Sequence, residues 1–226
     1  MTIPLHTVPG SELPPLLWYH REEGDPQHLV ARFRPALFDG WSSKPEGGLW
    51  TAVLRDFYGL GLSAWGTFED NVQVKGHEYV STVVPAPDAR FVVVDSQADA
   101  VAVAQAFPGV RGEGTLHKML SAATGEPVFT VKPPPIPEPD LEDVPAHLHE
   151  ALTAFAGDSQ RPLVDLSRLA EHQYAGLYLT DRGRMETKDT FGLPKGVPSF
   201  WGWDVETVWF RAPELRVQDT RRWERV

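Results

Sequence analysis

The sequence predicts an α+β fold in which strands dominate. Three observations carry this. Short runs rich in β-branched and aromatic residues recur along the chain, as in Glu78-Tyr79-Val80-Ser81-Thr82-Val83-Val84 and Gly202-Trp203-Asp204-Val205-Glu206-Thr207-Val208-Trp209-Phe210. Helical stretches fall between them without the strict strand–helix–strand alternation of a doubly wound sheet. The run Arg90-Phe91-Val92-Val93-Val94-Asp95 is apolar throughout, the mark of a strand covered on both faces.

In chain order, residues 1–15 hold prolines without periodicity and read as an irregular lead-in. Leu16-Leu17-Trp18-Tyr19-His20 is a first strand, closed by the charged turn 21–26. Residues 28–38 fit a helix or an extended segment equally. A loop through Lys44-Pro45-Glu46-Gly47-Gly48 delivers the chain into a strand at 49–54. The glycine pair implies either a tight turn or a close approach to the backbone. A short helix is expected within 63–72, then strands at 78–84 and 90–95. Ser96 or Asp95 caps a helix at 97–107, which Pro108 and Gly109 stop. Another helix at 115–123 and a short strand at 128–131 precede Lys132-Pro133-Pro134-Pro135-Ile136-Pro137-Glu138-Pro139-Asp140, an extended polyproline-like spacer. It is taken as a surface connection at 132–140 inside a single domain spanning 1–226. Helices follow at 141–155 and from 162, then a strand at 174–179, a polar loop at 181–199 and the strand 202–210. No internal repeat is present.

With 226 residues, 42% apolar and 23% charged, the chain is long enough for a sizeable core. It has no cysteine, which excludes disulfides, thiolate metal sites and cysteine nucleophiles. The formal net charge of −10 disfavours general binding to nucleic-acid phosphates. The arginines from Arg211 to Arg225, offset by Glu214, Asp219 and Glu224, read as a solvated tail. No apolar run is long enough to cross a bilayer, and the first residues lack the pattern of a secretory signal, so a cytoplasmic protein without a membrane partner is expected.

Metal and phosphate motifs are missing. His147 and His149 are two apart and would leave a helix on different faces. No His-Glu-x-x-His, Walker or dinucleotide glycine pattern occurs, nor a Gly-x-Ser-x-Gly elbow, so no metal cofactor is expected. Glu206 is the conspicuous group. It sits mid-strand with bulky apolar neighbours, where it is either on the solvated face of an edge strand or a desolvated carboxylate at a cleft floor.

His20, Trp50 and Glu206, on three separate strands in that order, resemble the His-Tyr-Glu triad of the ADP-ribosyltransferases, with Trp50 in place of tyrosine. Tyr79-Val80-Ser81-Thr82 resembles the Ser-Thr-Ser strand of the toxin-like branch, with Val83 at its third serine. Lys44-Pro45-Glu46-Gly47-Gly48-Leu49-Trp50, Tyr174-Ala175-Gly176-Leu177 and Trp203-Asp204-Val205-Glu206-Thr207 resemble a group of uncharacterised bacterial and phage proteins suspected of the same fold. The resemblance implies a split, strongly bent antiparallel or mixed sheet with peripheral helices. It implies NAD as substrate and mono-ADP-ribosyl transfer, or NAD glycohydrolysis, with Glu206 and His20 as catalytic residues. Tyr19, Lys44, Gly48, Trp50, Ser81 and Thr82 would bind NAD. In that scheme Trp50 stacks on nicotinamide, Lys44 meets the pyrophosphate and Glu206 accepts the ribose 2′-hydroxyl. The acceptor is left open. The alternative is a non-catalytic binding or inhibitor protein, an immunity or phage-encoded factor, on the same scaffold.

Overall fold

The computed structural model describes residues 4–21, 37, 43–45, 47–55, 63–67, 77–110, 161–188, 193–194, 196–200, 203, 205–211 and 214–222. The architecture is α+β: a strongly curled mixed sheet forming a half-barrel, with three α-helices among the described residues. The strands are β1 (Thr7–Pro9), β2 (Leu16–His20), β3 (Leu49–Val53), β4 (Tyr79–Pro85), β5 (Arg90–Val94), β6 (Pro108–Gly109), β7 (Leu163–Val164), β8 (Gly176–Leu179), β9 (Thr207–Phe210) and β10 (Leu215–Arg222). The helices are α1 (Ala64–Thr67), α2 (Gln97–Ala106) and α3 (Asp181–Thr187), and 3-10 segments lie at Gly10–Glu12 and Leu166–His172. The main sheet runs β1-β5-β8-β9-β3-β2-β4-β10, and β6 and β7 form a separate pair. Among the described residues of the main sheet, β5 and β8 pair in parallel and the other pairings are antiparallel.

The curl follows from one connection. β4 and β5 are five places apart in the strand order, about 24 Å on a flat sheet. The chain from Pro85 to Arg90 reaches at most about 18 Å, and the Ala89 N–H bond to the Ala86 carbonyl, at 3.1 Å, folds it into a turn. The sheet must therefore roll until its two ends approach. Ala86 N–H bonds the Glu214 carbonyl (2.8 Å) and Gly10 N–H bonds the Ala89 carbonyl (2.7 Å), tying both ends to this turn.

Rolling creates an inside. Phe91 of β5, Val208 and Phe210 of β9, Leu49 and Val53 of β3, Leu16 of β2, Val83 of β4 and Leu215 of β10 bury one another there. Phe91 and Phe210 meet edge to face at 5.1 Å, a contact worth about 1 kcal/mol beyond burial. On the outside, α2 lays Ala100, Val103 and Ala104 against Val92, Val94, Leu177, Leu179 and Trp209. Thus β5 is covered on both faces, as its unbroken apolar run predicts. α2 begins at Ser96, whose hydroxyl accepts from Asp99 N–H (3.2 Å) and donates to the Asp99 carboxylate (2.8 Å). The same Asp99 oxygen accepts the Asp95 N–H at 3.1 Å, fixing the chain as it enters the helix.

Four expectations need correction. The lead-in contains β1, paired with β5. The arginine-bearing tail contains β10, paired with β4 through a bulge between Val217 and Asp219. Its alternation, Leu215 and Val217 inward with Arg216 outward, was the signal, and its charges suit a sheet edge. The polar loop after Thr180 contains α3, whose start is set by Thr180 accepting Gly183 N–H at 3.0 Å. The helix expected from 162 is instead β7 followed by the 3-10 segment Leu166–His172. The stretches 28–36, 68–72, 115–123, 128–131, 132–140 and 141–155 lie outside the described residues. No helix among the described residues is long and apolar enough to cross a membrane.

Candidate functional site

Register assigns each singled-out residue to a face. Trp50 is opposite Trp209, and Thr51 opposite Val208, across β3 and β9. Tyr178 is opposite Val208 across β8 and β9. Side chains alternate along a strand, so Tyr178, Thr51 and Val208 point inward while Trp50 and Trp209 point outward. The Tyr178 hydroxyl donates to Glu206 Oε1 at 2.5 Å, which puts the Glu206 carboxylate on the inner face.

Glu206 immediately precedes β9, and the carbonyl of Glu206 accepts Val53 N–H at 3.2 Å. Its side chain is 7% exposed. Arg55, two residues past β3, donates its Nε to Oε2 at 2.8 Å, and one of its terminal nitrogens bonds the same oxygen. Both carboxylate oxygens are thus engaged, one by a neutral phenol and one by a cation that is itself 49% exposed. Burying a carboxylate is costly unless it is paired and hydrogen-bonded, and both conditions are met here. Burial first, and then the bond to Glu206, push the Tyr178 phenol well above its ordinary value, so it stays protonated and donates. The bond to Glu206 holds the Arg55 guanidinium above its ordinary value.

This cluster lies where the C-terminal ends of β3, β5 and β8 meet the start of β9. Around it, Thr180 donates to Asp95 Oδ1 (2.6 Å), Arg182 bonds Asp95 (3.4 Å) and Glu186 (3.0 Å), and Arg184 bonds Asp181 (2.8 Å). Tyr178 and Arg55 carried no sequence motif. The alternating order Gly176-Leu177-Tyr178-Leu179 was the one available hint, because it sets a lone hydroxyl among apolar strand residues.

His20 shares the inner face but not the neighbourhood. Leu16, four residues before His20 in β2, is level with Val53, which is level with Glu206. The backbones of His20 and Glu206 are therefore about 16 Å apart, and buried Val53, Thr51 and Val208 stand between them. His20 is 5% exposed. Its Nε2 meets Ser81 Oγ at 2.9 Å, Ser81 Oγ meets Thr220 Oγ1 at 2.7 Å, and its ring lies against Trp18 and Tyr79.

Trp50 faces the opposite way, edge-on to Trp203 at 4.6 Å, with Lys44 Nζ 4.9 Å above its ring. Tyr19 also faces outward, its hydroxyl 2.9 Å from Ser63 Oγ. Thr82, next to Ser81 on β4, points outward as well. Gly48 has φ +69°, and a Cβ there would come within 2.2 Å of Trp209 Nε1. The close approach to the glycine pair is thus made by the Trp209 indole, which donates to the Gly47 carbonyl at 3.1 Å.

The convergence of His20, Trp50 and Glu206 on one nicotinamide-sized hollow is therefore corrected: His20 and Glu206 sit at opposite ends of the interior, and Trp50 is across the sheet. All of β2 pairs with β4, but it pairs with β3 only at Leu16 and Leu17, so the sheet opens between Trp18–His20 and Leu49–Thr51. Among the described residues no group of three or more His, Asp or Glu side chains is arranged to hold a metal ion. No protein-family model, no curated protein and no solved structure matches this chain.

Proposed function

We propose that the chain cleaves the nicotinamide–ribose bond of NAD and passes the ADP-ribosyl group to an acceptor or to water, with Glu206 as the catalytic carboxylate. The observation that carries this reading is the state of Glu206: an acid 7% exposed, at the strand-end rim of a curled and partly split sheet, with a protonated phenol on one oxygen and a solvent-reaching guanidinium on the other. The resemblance of the Trp203–Thr207 segment to uncharacterised bacterial and phage proteins suspected of the ADP-ribosyltransferase fold supports it.

The chemistry asks little of such a group. The C1′–N bond breaks, nicotinamide leaves with the electron pair, and positive charge develops on the ribose. A fixed carboxylate accepting the 2′-hydroxyl stabilises that charge where little water competes. The acceptor then bonds C1′ and loses a proton. Trp50 stands outside this scheme, being on the far face from Glu206, and His20 is too distant to touch the same ribose.

Free nicotinamide released from NAD tests the reading. Wild type should release it, and Glu206→Gln should lower the rate about a hundredfold or more while keeping its folded circular-dichroism spectrum. Equal rates in both proteins, or no release by wild type with protein, nucleic-acid and water acceptors, overturn it.

A second reading has its own observation. With both oxygens of Glu206 satisfied internally, the acid can serve as a structural clasp between β3, β8 and β9 in a binding or inhibitor protein. A stoichiometric partner retained by Glu206→Gln favours that reading.

A further inference from the structure

We propose that Arg55 is an anion-operated latch on Glu206: a phosphate group of the incoming ligand takes the guanidinium, and the carboxylate oxygen it held is released to a ligand hydroxyl. The proposal deepens the reading of Glu206 as a working carboxylate and rests on it. It follows from the unequal fixing of the two groups that hold the acid.

Tyr178 lies inside β8, paired with β5 on one side and β9 on the other. Its phenol cannot withdraw without breaking the sheet. Arg55 is two residues beyond the end of β3, and its side chain is 49% exposed. One donor to Glu206 is therefore built into the sheet, and the other reaches it on a long, half-exposed side chain. For the acid to accept a ribose hydroxyl, one of its two oxygens must come free, and Oε2 is the one whose partner can move.

The arginine has somewhere to go. Two of its donors converge on a single oxygen, which leaves the flat fork of the guanidinium only partly used. A phosphate offers two parallel oxygens to that fork, the geometry arginine binds best. Among the described residues, three acids around the latch have hydrogen-bond partners other than Arg55. Asp181 is bonded to Arg184, and Asp95 to Arg182 and Thr180, while Glu186 is bonded to Arg182. Asp181 acts on Arg55 through its field alone, in the sense that keeps the guanidinium charged. The exchange moves no proton: one ion pair at Arg55 is replaced by another. The ligand class this selects carries a phosphate or pyrophosphate close to a sugar hydroxyl, and a phosphate-free nucleoside would leave the latch shut.

Inorganic pyrophosphate is the probe, titrated calorimetrically into wild type, Arg55→Gln, Arg55→Lys and Glu206→Gln, each checked for cooperative thermal unfolding. It has no glycosidic bond, so it reads the latch whether or not NAD is cleaved. Wild type should bind weakly. Glu206→Gln should bind about fivefold more tightly, because a partly exposed ion pair no longer has to be broken. Arg55→Lys should bind less tightly than wild type, and Arg55→Gln should lose binding. Unchanged affinity in Arg55→Gln, no tightening in Glu206→Gln, or no binding by any of the four overturns the latch. Nicotinamide release with a failed latch leaves the catalytic reading standing.

Discussion

Replacing Tyr178 by phenylalanine removes a single oxygen, and the structure fixes what that oxygen does. Its hydrogen bond to Glu206 Oε1 is 2.5 Å long and spans β8 to the start of β9. Hydrogen bonds to charged groups contribute about 1.5–3 kcal/mol, and an acceptor left buried without a donor costs about as much again in the worst case. Tyr178 is half-buried and Glu206 keeps Arg55, so the low end applies, about 1.5 kcal/mol. For a chain of this size that lowers Tm by about 3–6 °C. The cost must depend on the acid. In a Glu206→Leu background the same Tyr178→Phe change should shift Tm far less, because the phenol then has no carboxylate to serve. Thermal unfolding of the four proteins of this double-mutant cycle at neutral pH makes the measurement. Equal shifts in both backgrounds, or no shift in either, refute the claim that Tyr178 holds Glu206.

Other consequences follow from the same geometry. Tyr178 binds its proton more tightly in the folded chain than in the unfolded one, so the stability it contributes is complete below the ordinary tyrosine value of 10.0 and is lost as pH rises above it; urea unfolding of Tyr178→Phe should show a shallower alkaline loss than wild type. Gly48→Ala meets the Trp209 ring at 2.2 Å as well as a positive φ, and Gly176→Ala would put a Cβ 2.0 Å from the Trp209 carbonyl oxygen, whereas Gly196→Ala faces open space at φ +92°. The first two should fail to fold stably, and the third should cost only about 1–2 kcal/mol, read by denaturant midpoints. Trp50→Phe should lower Tm through lost contact with Trp203 and Trp209 while leaving kcat for nicotinamide release unchanged, since the ring is across the sheet from Glu206.

Much of the sheet is legible in the sequence because its central strands carry their own evidence. β2, β3, β4, β5, β8 and β9 all fall inside runs of β-branched and aromatic residues, where local preference and burial agree. The edges were not legible. β1 is three residues ending in a proline, and β10 offers only the brief alternation of Leu215 and Val217 before a charged run. The site was half legible. Glu206 stands out because an acid among bulky strand-forming neighbours must be either solvated or partnered, and the structure gives it partners at the start of β9. Which residues those are depends on pairings between β3, β8 and β9, more than 100 residues apart along the chain for Arg55. Side-chain parity along a single strand, readable from sequence, says which of its neighbours share a face. It does not say which face of one strand matches which face of another, and that is why His20 and Trp50 seemed to belong with Glu206.

A crystal soaked with NAD tests the central claim most directly. The account expects the ribose on the nicotinamide side to sit on the inner face, its hydroxyl bonded to Glu206 and Tyr178 still holding the second carboxylate oxygen. A dinucleotide bound instead over Trp50 on the outer face, with the Glu206–Arg55 pair intact, contradicts it.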